Sequence, residues 1–490
     1  MRRHVPAIVV RLARTLFLPF AMTSQAPPSG APRFGFRRPS IYYGWYIVVA
    51  TGFVMTIATV PLFHAMTLWA VALENQFGWP RGQLSLALTL TRIEGGLMGP
   101  LEGYLTDKLG GRKMVLIGFL ILGVGFLIFW QIDAGFWPVA PLYMFYVAYM
   151  VMAAGQGMGS WMPMMTTINN WFSRRMATAM GWANFMSRGG ALIVIPLIDL
   201  GINGSIGVPF TQHTLNIGRT IGWENCALIL AVVILAVAGP LAYLIRNRPE
   251  DMGLQPDGST TPAQARGGRR AAPAQPQGLT AQQAVRTPAF WLIAVGHGMT
   301  SMIILAIFTH LGLLLKDAGL QEYAGTVVIL YTVISMFSQP LGGYVGDRFP
   351  KRIGLFVFTT IQASAVVLLT FSTELWMFYA FAVIFGIGFG GRNPLTTSIR
   401  GEYFGRGNFG KILGISTIPM NGLLLISSPF AGYMYDWTGT YTVAFLVLAG
   451  FNYAGGVCFL FAKRPQIPTT PEATPSAPTT APVPAARDDS

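Results

Sequence analysis

The residues able to do chemistry in this chain are the few ionisable side chains that interrupt long apolar runs: His64, Arg92, Glu94, Arg188, His310 and Arg392. An unpaired cation at the middle of a bilayer costs at least ~3 kcal/mol, so each such group should face protein or a watery cavity. Three of them are arginines, and a guanidinium offers a carboxylate two parallel hydrogen bonds that lysine cannot reproduce. Only Glu94 is at hand to neutralise them, so a central cavity lined by Arg92, Arg188 and Arg392 should carry positive potential and take an anion. Arg188 falls about 18 Å along its helix and Arg392 about 12 Å, at 1.5 Å per residue. His64 and His310 occupy matching places in the two halves and are further candidates for binding the solute or titrating. Glu94 could load and release a proton, as a buried carboxylate does when its pKa is raised, or could serve as a structural partner of Arg92 or Arg188.

Other chemistries find little here. Cys226 and Cys458 both lie within apolar runs, and the five histidines make no cluster with metal-ligand spacing. No nucleophile is seated beside a base, and no phosphate-binding glycine loop precedes a Lys-Ser/Thr pair. The expectation is a non-enzymatic protein without cofactor or metal.

The elements that must hold these residues are membrane helices. Charged residues make up 11% of 490, apolar ones 52%, and the mean hydropathy is +0.50, too little charge to cover a soluble protein of this size. The net charge of +14 does not point to nucleic acid. Of 33 Lys and Arg, only Arg81, Arg219 and Lys316 fall on one side, three lie within helices, and the rest gather in the tails and loops of the other side. That asymmetry puts both termini in the cytoplasm. Apolar runs predict twelve helices at about 45–73, 84–105, 114–130, 142–169, 176–200, 223–245, 288–314, 323–345, 353–371, 375–399, 411–435 and 441–462.

Residues 1–40 read as a disordered basic cytoplasmic N-terminus. Arg11 and Arg14 break its one apolar stretch, so no cleaved leader is expected, and a start at Met22 fits as well as Met1. Residues 41–245 form a first six-helix bundle and 287–464 a second. Between them 246–286 is a structureless cytoplasmic linker, and 465–490 a disordered cytoplasmic tail.

The two bundles repeat each other. Gly103-Tyr-Leu-Thr-Asp107-Lys-Leu-Gly110-Gly-Arg112-Lys113 returns as Gly343-Tyr-Val-Gly-Asp347-Arg348-Phe-Pro-Lys351-Arg352, and Pro163 and Pro196 find counterparts in Pro394 and Pro429. This repeated stretch resembles the loop signature of the major facilitator superfamily. The resemblance spans roughly residues 41–464 and implies two pseudo-symmetric six-helix bundles that rock about a central cavity. It implies an inner gate at Gly103, Asp107, Arg112, Lys113, Gly343, Asp347, Arg348 and Arg352, where the motif Asp meets the motif Arg and the N-terminus of helix 11. Gly111 stands where a basic residue is usual, and Pro350 replaces a glycine in the second copy.

Tyr42-Tyr-Gly-Trp45, Phe77-Gly-Trp-Pro-Arg81, Thr309-His-Leu-Gly312 with Asp317-Ala-Gly319, and Pro429-Phe-Ala-Gly-Tyr-Met-Tyr-Asp436 narrow the likeness. They resemble the bacterial branch holding oxalate/formate antiporters and monocarboxylate transporter relatives. Those carriers use an Arg in helix 8, and the oxalate exchanger a Lys in helix 11; here helix 8 has no basic residue, and helix 11 has only Lys411 at its mouth. The expectation is a monomeric secondary transporter in a bacterial inner membrane, in contact with lipid. It would move a small organic anion such as a monocarboxylate, with a proton or counter-substrate. The alternative is a proton-coupled exporter of drugs or amphiphiles, whose cavity would use Trp161, Met162, Met164 and Met165.

Overall fold

The computed structural model describes residues 42–135, 138–207, 214–216, 220–258, 278–320 and 323–465. The two tails and the middle of the linker lie outside them. Apolar stretches longer than about 20 residues must satisfy every backbone group internally, and this chain does so with helices. Span 1 covers Tyr43–Phe77, span 2 Arg81–Leu109 and span 3 Gly111–Trp130; span 4 is the pair Pro141–Gly159 and Trp161–Trp171. Spans 5 and 6 are Met176–Asn203 and Gly222–Leu244. The second half holds span 7 (Pro288–Asp317), span 8 (Ala324–Arg348) and span 9 (Lys351–Thr370). Spans 10, 11 and 12 are Leu375–Phe404, Phe409–Thr438 and Thr442–Phe461. Ten are long and apolar enough to cross a membrane on that ground alone. Span 2, which carries the charges, and span 4, which is broken, complete the twelve. Between spans 5 and 6, Ser205–Gly207 pairs antiparallel with Thr214–Asn216.

The packing repeats in the two halves. Span 3 lies against spans 4 and 6, span 1 against 5 and span 2 against 4; likewise span 9 lies against 10 and 12, span 7 against 11 and span 8 against 10. Between bundles the large contacts are again a matched pair, span 2 with span 11 and span 5 with span 8.

Two breaks have local causes. Pro61 has no N–H to donate, and the ladder widens to a π-turn over Val60–His64, where the Ala65 N–H reaches back to the Val60 carbonyl at 3.0 Å. The freed Pro61 carbonyl accepts from the Trp69 indole at 2.8 Å. This bulge sets the direction of His64. In span 4, Pro163 deprives the Gly159 carbonyl of its donor, and the helix breaks at Ser160 (φ −122°, ψ −104°).

The stretch expected to be a structureless linker is ordered at both of its ends. Asp257 accepts the backbone N–H groups of Ser173 (3.0 Å), Arg174 (2.7 Å) and Arg175 (3.3 Å), capping the loop between spans 4 and 5. Thr280 and Gln283 close a capping box on Ala281–Val285, and the Leu279 N–H binds the Phe404 carbonyl at 3.0 Å. The capping box is local, but the other contacts join residues 82–125 positions apart, which composition does not show.

Candidate functional site: a double clasp and a guanidinium against an aromatic wall

The two motif copies do the same thing to opposite bundles. Asp107 accepts the N–H groups of Gly410 (2.9 Å) and Lys411 (2.8 Å) at the start of span 11. Asp347 accepts those of Ala177 (2.9 Å) and Thr178 (2.8 Å) at the start of span 5. A helix N-terminus leaves its first N–H groups unpaired and carries partial positive charge, so a carboxylate is its natural cap. The glycine one turn before each Asp is required by contact. A Cβ at Gly103 would run into the backbone of Gly410, and one at Gly343 into the backbone of Ala177.

The motif cations play a different part from the one the resemblance implied. Arg112 lies over the ring of Tyr243 (5.6 Å), while its backbone N–H donates to Asn247 (2.9 Å). Among the described residues it makes no ion pair with Asp107. Arg348 stacks on Tyr344 at 3.7 Å. Lys351, 4.0 Å from Asp347, makes its short contact with Glu402. Lys113 is exposed and Arg352 half-buried. Backbone N–H groups at a helix start, already pointed at the carboxylate, take the place of the arginine.

Above this clasp the bundles stay in contact through Gly99 on Thr417 and Gly414, Gly181 on Gln339, and Phe185 on Phe337. Further out, large apolar side chains of the same spans are exposed, Leu192 and Leu197 on span 5 and Ile426 and Tyr433 on span 11. The motif end is thus closed.

At the boundary sits Arg188. Its guanidinium carbon lies 5.0 Å from the ring centre of Phe389 on span 10, in the other bundle. Phe389 continues a chain of rings through Phe385 and Tyr331, and Phe308 stacks on Tyr331 at 6.0 Å. His64 and Tyr331 are both within electrostatic reach of Arg188. Arg92 lies over Phe63, next to His64, at 5.4 Å. Among the described residues neither Arg92 nor Arg188 has a carboxylate within 4 Å. Arg188, with His64 in reach, thus stands at an aromatic wall, and Arg92 lies over the ring next to His64 in the chain. The wall was not foreseen; the four-residue spacing of Phe385 and Phe389 was its only mark in the sequence.

The remaining candidates go elsewhere. His310 is buried, with Nδ1 3.2 Å from the Tyr441 hydroxyl and Nε2 3.1 Å from the Ser428 carbonyl. Both nitrogens are occupied by helix packing, so its symmetry with His64 ends at the sequence. Arg392 is 2% exposed and donates to the Thr300 hydroxyl on span 7. Glu94 is buried, one carboxylate oxygen having no hydrogen-bond partner. It is not the only acid within the spans: Glu102, two turns further along span 2, is buried too, its carboxylate packed on Gly157. Nor are the cations three, because Arg400, just beyond the expected helix at 375–399, is 1% exposed. Met162, Met164 and Met165, named for the exporter alternative, are buried in packing here, and Trp161 is partly buried.

Known proteins resemble the chain over most of its length. The Major Facilitator Superfamily model matches residues 43–326 and 320–487. Human monocarboxylate transporter 2 is 23% identical over 460 residues, 89% of this chain and 88% of the relative. The uncharacterized MFS-type transporter YcxA of Bacillus subtilis is 20% identical over 426 residues, covering 83% and 92%. Among solved structures, the E. coli fucose:proton symporter FucP superposes with a TM-score of 0.62 at 14% identity, over 86% of this chain and 98% of its own. A bacterial homologue of the iron transporter ferroportin in an outward-facing state gives 0.64 at 14%, over 86% and 99%. With the duplicated motif, the matched packing of its two bundles and a family model spanning both, the chain belongs to the Major Facilitator Superfamily and is an integral membrane transporter.

Proposed function

We propose that this transporter carries a small organic anion, a monocarboxylate in the simplest case, by alternating access driven by a proton or substrate gradient. The observation that carries the reading is Arg188, a cation without a carboxylate partner among the described residues, held over the ring of Phe389, which continues through Phe385 to Tyr331. A guanidinium takes a carboxylate in two parallel hydrogen bonds, and the wall beside it shelters a short apolar tail. The monocarboxylate transporters among the relatives point the same way. Arg188 replaces the helix 8 arginine that this chain lacks, so the anion is held from the N-terminal bundle. His64 and Arg92 extend the positive region, and Glu94 is the candidate proton carrier. Asp107 and Asp347 are the gate, latched on the cytoplasmic side. Both termini lie in the cytoplasm of a bacterial inner membrane, where the excess Lys and Arg put them.

Counterflow in proteoliposomes tests this. Vesicles preloaded with unlabelled acetate, pyruvate or lactate should accumulate the labelled form of at least one of them. Accumulation of cationic amphiphiles alone would overturn the anion reading.

A further inference from the structure

The C-terminal bundle buries two guanidiniums, Arg392 and Arg400, with no carboxylate within 4 Å among the described residues. Arg392 donates to Thr300, and its Nε is buried with no hydrogen-bond partner. Arg400 folds back to the Thr396 carbonyl, one turn earlier in its own helix, and its other nitrogen comes 3.4 Å from Nδ1 of His297. His297 and Thr300 are neighbours on span 7, and both guanidiniums act electrostatically on the imidazole. The two heads therefore flank one short stretch of span 7, between spans 7 and 10.

Arginine stays charged at any accessible pH, so neutralisation must come from outside the side chain. Among the described residues, the acids of this bundle are committed elsewhere. Glu402 is taken by Lys351 and Asp347 by the start of span 5. Glu374 begins span 10, eighteen residues and roughly 27 Å before Arg392. Asp317 and Asp436 lie at the same far end of spans 7 and 11. Two uncompensated charges buried in a membrane bundle cost at least ~3 kcal/mol each, which a bound anion would offset.

We propose that Arg392, Arg400 and His297 form a binding site for a small monovalent anion, a halide or a short carboxylate, distinct from Arg188. Thr300 orients Arg392, and the unpartnered Nε and the outer nitrogen of Arg400 are the donors. His297, half-buried, is the member of the cluster nearest to solvent. The site requires only that the guanidiniums be neutralised, so it stands whether or not the transported solute is an anion.

Thermal unfolding of the purified transporter reads it directly, with bulky gluconate exchanged for bromide or formate at constant ionic strength. Wild type and Arg188→Gln should both show a saturable rise of at least about 2 °C, and Arg392→Gln and Arg400→Gln should lose it. A rise common to all four proteins, or none in wild type, overturns the site. If the two Gln variants do not accumulate, anomalous scattering from wild-type crystals soaked in bromide decides. A peak touching both guanidiniums supports the site, and its absence overturns it. Loss of that peak in excess formate would identify the occupant as a carboxylate, and its persistence would identify a halide.

Discussion

Arg188 and Phe389 belong to different bundles, and the guanidinium of one lies 5.0 Å over the ring of the other. The contact spans the seam along which the two halves must part, so any solute bound to Arg188 is placed where rocking can be felt. It also explains why a lysine would be a poor replacement. An ammonium loses both the planar stacking and the two-pronged grip on a carboxylate.

The clasp gives a first prediction. Asp107→Asn keeps one acceptor but loses the charge that two N–H groups share. The closed motif end should weaken by about 1–2 kcal/mol, a 5- to 30-fold shift in population. Distances between spin labels on spans 2 and 11 should lengthen, at unchanged expression. Asp347→Asn should act equally on spans 5 and 8. Unaltered distances in both variants would reduce the aspartates to helix caps without a gating role.

A second concerns space. Gly103→Val and Gly343→Val insert a side chain where the backbones of Gly410 and Ala177 already stand. Each should hold the motif end apart more strongly than the matching Asp→Asn change, because overlap with backbone cannot be relieved by a rotamer. Equal or smaller label separations would mean that the spans slide past each other.

Topology is the third. Cysteines introduced at Gln212 and Gln264 should react with an impermeant maleimide from opposite faces of the membrane, Gln264 from the cytoplasm. Labelling from one face would break the twelve-span count.

Much of this was legible in the chain because it is written twice. The duplicated Gly-x-x-x-Asp stretch marked the loops, the symmetry and the two aspartates that cap spans 5 and 11, and apolar length marked the spans. What escaped depended on a third dimension. His64 and His310 match in sequence, but Tyr441 and Ser428 close on one of them only. Arg400 fell just outside the expected helix at 375–399, yet span 10 runs to Phe404 and the side chain folds back to Thr396. Glu102 was hidden beside the motif glycine, and nothing in its neighbours announced that it would be packed on Gly157. The aromatic wall is drawn from spans 7, 8 and 10, and no single segment displays it.

The account rests most on Arg188 holding a carboxylate, and initial-rate uptake of labelled pyruvate or lactate into proteoliposomes tests that most directly. Arg188→Lys should raise the apparent KM about tenfold, the ~1.4 kcal/mol of a lost charge-assisted hydrogen bond, with the amount of inserted protein unchanged. A KM equal to that of wild type would contradict it.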